Sequence, residues 1–315
     1  MSLTPFVMPK RNIEEAFWRF ASMRQAVWAG DEPDEKMKVW HVHNLYRELD
    51  YGTRYVDTHI RNTDAPGFVK VAWIIAYRIL NNIDTFEAIQ THVAAGVQYP
   101  KSTFHFDIEI ALREMSIMGY TAAGSVNLSA RIQDLGGVDK LADYVIAISN
   151  AAREARNLYQ TADAVDLPGL VATIADVPGV TTHVAAQVAL DMILPGFTAS
   201  KPIATRAFAY QSRFVSPFAK KILAEMGVVG NDATMLRAVK SLCERQHIVL
   251  EALDLPFDWP INSWVADDTT LDIPNIVHSL DAYYRYKSAG VVRSLSRRYV
   301  PSAELEHIRV HGIKD

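Results

Sequence analysis

Apolar residues recur three and four positions apart along this chain, as in Ile13, Ala16, Phe17 and Phe20, and again in Val39, Val42, Leu45 and Leu49. That spacing lines one face of an α-helix. Few stretches alternate in the manner of a half-buried strand. Turn-forming residues interrupt the pattern at Gly30 to Pro33, Thr63 to Gly67, Tyr99 to Ser102, Gly136 and Gly137, Leu167 to Gly169, Pro178 and Gly179, Pro195 and Gly196, and Pro256 to Pro260. The pattern predicts an all-α protein of about a dozen helices with short connections, with no internal repeat or low-complexity tract.

Composition narrows the class. With 49% hydrophobic residues in 315, the chain has enough apolar surface for a large core, which excludes wholesale disorder. The longest apolar runs, Val69 to Ile79 and Val184 to Leu194, are broken by Lys70, Arg78, Gln187 and Asp191, so neither makes a membrane span. Lys10 and Arg11 are not followed by the apolar block of a signal peptide, and a cytoplasmic protein is expected. Cys243 stands alone, excluding an internal disulfide and pointing to a small core residue. His41 and His43, two apart on an expected helix, would not face each other as metal ligands, and no metal or cofactor is expected. No Gly-rich phosphate loop or dinucleotide fingerprint is present.

The net charge of -4 hides an uneven distribution, because residues 285 to 315 hold seven Lys or Arg against three acids. Arg293, Arg297 and Arg298 beside Tyr299 are candidates for phosphate contacts; a merely solvated basic face is the alternative.

Leu167 to Asp176 reads as a short helix opened by Asp166 and Pro168, followed by the turn Val177-Pro178-Gly179-Val180 and a second helix starting at Thr181 or Thr182. This looks like a helix-hairpin-helix. Gly179 would supply the tight turn, and the amides from Thr181 through His183 would face a DNA phosphate with a favourable dipole. An ordinary corner with a Pro-Gly turn fits the same residues. In DNA glycosylases with such a hairpin, an essential aspartate lies several helical turns further along. Here that place falls near Lys201, and residues 195 to 206 contain no aspartate, which disfavours base excision.

Four further elements carry candidate chemistry. Phe17-x-x-Phe20-x-x-x-Arg24 is followed by Asn44-x-Tyr46-Arg47-x-x-Asp50; on a helix Asp50 would sit one turn from Tyr46 and Arg47 and hold either in a fixed pose. Phe68-Val69-Lys70 leads to Tyr77-Arg78-x-x-Asn81. Ala186-Gln187-x-x-x-Asp191 follows the hairpin. Ile276-Val277-His278-Ser279-Leu280-Asp281-Ala282-Tyr283-x-Arg285 lies near the C-terminus. Polar groups amid so much apolar sequence either cross-brace a core or line a cleft.

In this order the four elements resemble the alpha-glutamyl/putrescinyl thymine pyrophosphorylase family of phages, also described as amino acid:DNA transferases. The resemblance runs from about Phe17 to Arg285. It implies a two-lobed helical architecture of DNA-glycosylase type, with roughly residues 95–195 in the hairpin lobe, 1–94 and 196–315 in the other, and the site in the cleft. It further implies a step in thymidine hypermodification, in which an amine displaces pyrophosphate from 5-(pyrophosphooxymethyl)uracil in double-stranded DNA. The partners so implied are that DNA and a small amine or amino acid such as glycine or putrescine, with no membrane. In this reading Arg24, Arg47 and Arg78 would stabilise the leaving pyrophosphate. Asp50 or Asp191 would take a proton from the ammonium group, and Asn44 and Gln187 would read the uracil edge. Tyr46, Asn81, Asp281 and Tyr283 complete the implied substrate site. Gly30-Asp31-Glu32-Pro33-Asp34 and Ser279-Leu280-Asp281 depart from the family's usual segments. A glycosylase-like base-excision enzyme and a non-catalytic DNA-binding protein are the alternatives.

Overall fold

The computed structural model describes residues 11–289 apart from 30, 40–41, 48–49, 62, 64, 97–103, 123–125, 162–165, 194–210 and 256–270. The protein is all-α. Among the described residues strand-like pairing is limited to one isolated antiparallel bridge, Thr121 to Asn127, and no helix is long and apolar enough to cross a membrane. The chain divides into two compact units, Met1–Tyr51 with Tyr210–Asp315, and Gly52–Ala209.

The second unit is built on α4 (Gly67–Leu80), after α1 (Arg11–Ala29), α2 (Glu35–Val39), α3 (Tyr51–Val56) and a π-helical turn at Asp57–Arg61. Its sequence is apolar on every face: Val69, the run from Val71 through Tyr77, Ile79 and Leu80 are all buried. A helix of that kind must be covered all round, and α8 (Leu141–Thr161) and α10 (Thr182–Ile193) pack directly on it. This is why residues 52–94 group with the middle of the chain, whereas the family resemblance implied a lobe beginning at roughly residue 95. Helices α5 (Ile83–Gly96), α6 (Phe104–Ile117) and α7 (Leu128–Asp134) complete this unit together with α9 (Leu167–Ala175). Trp73, Tyr77 and Phe86 interlock edge-to-face, with Trp73 and Tyr77 each meeting Phe86 at 5.4 and 5.3 Å, a geometry favoured by the ring quadrupoles.

Capping chemistry sets the helix starts. Asn127 accepts from Ser129 N, Asp166 from Gly169 N, and Thr181 Oγ1 from Val184 N, each satisfying an amide that the first turn leaves without a partner. Between α9 and α10 the chain turns through Gly179 at φ 75, as the sequence pattern requires. A Cβ there would lie 2.5 Å from Leu135 Cδ2.

In the first unit α1 packs on α13 (Ile273–Ser288), which also carries α11 (Pro217–Glu225) and α12 (Asp232–Ala252). Phe17 and Phe20 meet Tyr283 at 5.8 and 5.3 Å, and Phe20 meets Tyr286 at 5.1 Å. One expectation fails here. The apolar spacing of Val39, Val42 and Leu45 predicts a continuous helix, but α2 ends at Val39 and residues 42–46 are irregular. Asn44 Oδ1 accepts from Tyr46 N at 3.1 Å, a local bond that competes with the helical ladder.

Candidate functional site

The polar residues singled out from the sequence fall into two groups, one in each unit. In the first unit they converge on the irregular segment 42–47. Arg24, 5% exposed on α1, sends Nε to the carbonyls of Val42 and His43 at 3.3 and 3.2 Å. The amide of Arg47 donates to Asn275 Oδ1 at 2.9 Å, and Ser279 Oγ donates to the Leu45 carbonyl at 3.0 Å. A non-helical segment has no ladder of its own, so its buried carbonyls and amides need partners such as these. Asn44, Tyr46 and Arg47 are themselves fully buried.

Asp50 has a partner that its helical spacing did not point to. Its Oδ1 lies 3.0 Å from Nδ1 of His43, seven residues back. A carboxylate only accepts, so in this bond Nδ1 is the donor. The His278 ring stands 5.5 Å from that of His43. Neither histidine is assigned a role from the sequence; His43 is weighed only with His41 as a metal pair, and set aside because residues two apart on a helix do not face each other. The remaining first-unit candidates serve the packing. Tyr283 is 5% exposed among Phe17 and Phe20, and burial, then Glu225, raises its phenol pKa. Asp281 accepts from Ser216 Oγ and from Ala219 N, bracing the N-terminus of α11. Beside Arg24 lies a cavity of about 10 Å³, lined also by Val27, Pro33, Met37 and Val42. That volume suits a single water and is far too small for pyrophosphate.

In the second unit the structure joins two elements that the sequence presents 113 residues apart. Arg78 grips Asp191 in a fork, Nε to Oδ2 at 2.7 Å and Nη2 to Oδ1 at 3.0 Å, and Nη2 also donates to Thr53 Oγ1 at 2.9 Å. Asp191 is 0% exposed. Nearby, within the π-helical turn, Arg61 Nη1 donates to Asp57 Oδ1 at 2.6 Å. Burial is the main influence raising the Asp57 carboxyl pKa, opposed by Arg61 and Arg54 and reinforced by Asp191. Burial likewise lowers that of Arg61 against the pull of Asp57 and Asp191. Thr53, Asp57 and Arg61 were missed from the sequence, although the Asp57–Arg61 spacing of four was a visible signal.

Gln187 is half-buried on α10, one turn before Asp191. Asn81, expected beside Arg78, instead lies past the end of α4. It is exposed, in the left-handed conformation at φ 43, with its amide on the Tyr77 carbonyl, the usual work of a helix C-cap. The buried amide is the next residue, Asn82, which donates to Thr121 Oγ1 at 3.1 Å. At the turn before α10, Thr181 is the exposed cap and Thr182 and His183 are half-buried in the first helical turn. Arg297, Arg298 and Lys201 lie outside the described residues. A second cavity in this unit, about 20 Å³ and walled mainly by apolar side chains such as Trp73, Phe86 and Leu112, is a packing space. No group of three or more His, Cys, Asp or Glu that would hold a metal occurs among the described residues.

The fold and these two groups define an all-helical protein with several charged residues built into its core. A family model described as the helical domain of 5-hmdU DNA kinase matches residues 11–292, and the chain belongs to that family. No curated protein and no solved structure matches the chain.

Proposed function

We propose that the chain acts in thymidine hypermodification, replacing the pyrophosphate of 5-(pyrophosphooxymethyl)uracil in duplex DNA with an amine or amino acid. The observation that carries this reading is the family match over residues 11–292. The family's name concerns hydroxymethyluracil in DNA. In this proposal the helical chain is the part that handles the modified base. Its resemblance to the thymine pyrophosphorylases gives the direction of the chemistry, in which phosphate is already present on the base and leaves.

Recognition of the DNA backbone falls to the α9–α10 turn, where the first turn of α10 follows Gly179, together with the basic residues toward the C-terminus. The amine-transfer reading is tested by incubating the protein with duplex DNA carrying 5-(pyrophosphooxymethyl)uracil and a panel that includes glycine and putrescine. Digestion to nucleosides and mass measurement follow. A new nucleoside that depends on one amine is the expected result. A second reading, recognition of the modified DNA without chemistry, draws on the mutual neutralisation of Arg78 and Asp191, which leaves less charge for a leaving group. It predicts binding with the nucleoside unchanged, while an abasic site would indicate base excision.

A further inference from the structure

We infer that the face of the first unit around Phe218, Lys221 and Tyr284 binds a phosphate of the DNA backbone, with Lys221 as the contact; this rests on the reading of DNA as the substrate given above. Phe218 on α11 and Tyr284 on α13 stack at 4.8 Å with their planes 8° apart, and both rings are half-buried. The ammonium of the exposed Lys221 stands over the pair, 5.6 Å from the Phe218 centroid and 5.1 Å from that of Tyr284. It also donates to the Tyr284 hydroxyl at 3.3 Å. From α13 the Arg285 guanidinium lies 5.6 Å from the same Phe218 ring.

Helical spacing builds this face. Phe218 and Lys221 are three apart on α11 and so share one side of it. Asp281, three before Tyr284 on α13, accepts from Ser216 Oγ and Ala219 N at the start of α11. That bond locks the two helices in the register that brings the rings together.

What sets Lys221 apart is the kind of group that holds it. Two other lysines on these helices are tied to carboxylates, Lys220 to Asp232 at 2.8 Å and Lys287 to Glu225, and their charge is largely cancelled where it stands. The Lys221 ammonium is held instead by ring quadrupoles and one neutral acceptor, and among the described residues no carboxylate pairs with it. A cation ordered in this way keeps its full charge, and part of the side-chain freedom that binding would cost is already lost. Such a cation is complementary to a phosphate, and aromatic rings set among Lys and Arg are a recurrent surface for a nucleic-acid strand.

The test is an anisotropy titration of the full chain against two labelled duplexes of one sequence, one carrying 5-(pyrophosphooxymethyl)uracil and one thymine, in salt from about 50 to about 200 mM. Lys221→Gln is expected to weaken binding to both duplexes by the same factor, because a phosphate contact does not read the base. The slope of log affinity against log salt should become shallower by about 0.9, the value of one phosphate, so that the deficit shrinks about three- to fourfold across that range. A merely structural role for Lys221 would leave the slope where it is. Lys220→Gln, at the neighbouring lysine held by a carboxylate, is expected to stay within about twofold of the parent with its slope unchanged. Phe218→Leu with Tyr284→Leu keeps the charge but frees the side chain, and should cost about two- to tenfold in affinity at unchanged slope, the range for ordering one long side chain. Unchanged affinity and slope in Lys221→Gln, a loss confined to the modified duplex, or an equal loss in Lys220→Gln overturns the contact and leaves DNA as the substrate. No binding of either duplex by the unmodified protein overturns both.

Discussion

Replacing Asp191 by asparagine measures what the forked pair contributes to the second unit. The carboxylate is 0% exposed and the Arg78 side chain 10% exposed. Asparagine keeps the volume and one acceptor, but it leaves the guanidinium in its buried place with Thr53 as a neutral partner. Breaking a buried ion pair from one side costs about 3–5 kcal/mol. At roughly 2–4 °C per kcal/mol for a unit of this size, the midpoint should fall by about 6–20 °C. The lower end is expected, since Asp57 also loses a like charge whose presence raises its own carboxyl. Arg78→Met alone strands the carboxylate and should cost a similar amount, whereas Arg78→Met with Asp191→Leu removes both charges and should be milder than either. The assay is thermal and urea unfolding followed by circular dichroism, with the coupling taken from the double-mutant cycle. A loss below about 1 kcal/mol for Asp191→Asn, with effects that simply add in the double variant, would refute the view that the pair braces the fold.

Three other outcomes follow from the geometry. Gly179→Ala places a Cβ 2.5 Å from Leu135 Cδ2 at φ 75 and should destabilise the unit by about 1–3 kcal/mol, with partial relief in the Leu135→Ala background, both read from unfolding midpoints. Asn81→Gly should leave stability within about 0.5 kcal/mol, because both residues accept the left-handed cap, while Asn81→Val should cost about 1–2 kcal/mol; loss of DNA modification in the glycine variant would instead mark Asn81 as a substrate contact. Tyr286, whose phenol donates to Asp34 Oδ2 at 2.6 Å, has its pKa pushed up to about 12, first by burial and then by Asp34. A raised folded value means that its stabilisation is present below the ordinary phenol range near 10 and is lost as pH rises toward about 12; Tyr286→Phe should remove that late phenolate from an absorbance titration and flatten the corresponding loss of stability.

The helical class was legible because burial repeats at 3.6 residues, and the α9–α10 turn because Pro178 and Gly179 admit few conformations. The grouping of helices was less so. Nothing local in Val69 to Leu80 says which neighbours cover it, and its coverage by α8 and α10 moved residues 52–94 into the other unit. Among the site residues, the sequence marked Arg78 and Asp191 as polar intrusions in apolar helices but carried no sign that they were partners. At residues 42–50 the apolar spacing was actively misleading. Asn44 turns the backbone onto itself, after which Asp50 finds His43, and a pairing of that kind depends on a turn that helical periodicity conceals.

The first unit is assembled from the two ends of the chain, with the whole of Gly52–Ala209 between them. On the ribosome, α1 therefore emerges with Phe17 and Phe20 facing water and waits for Tyr283 and Tyr286 to be synthesised. At about 5–20 residues per second that interval is roughly 15–50 s, long enough for the intervening unit to fold first. An apolar helix exposed for that time is a natural client for a holding chaperone. Expression yield should accordingly depend more on the surface of α1 than on the far larger core folding beside it.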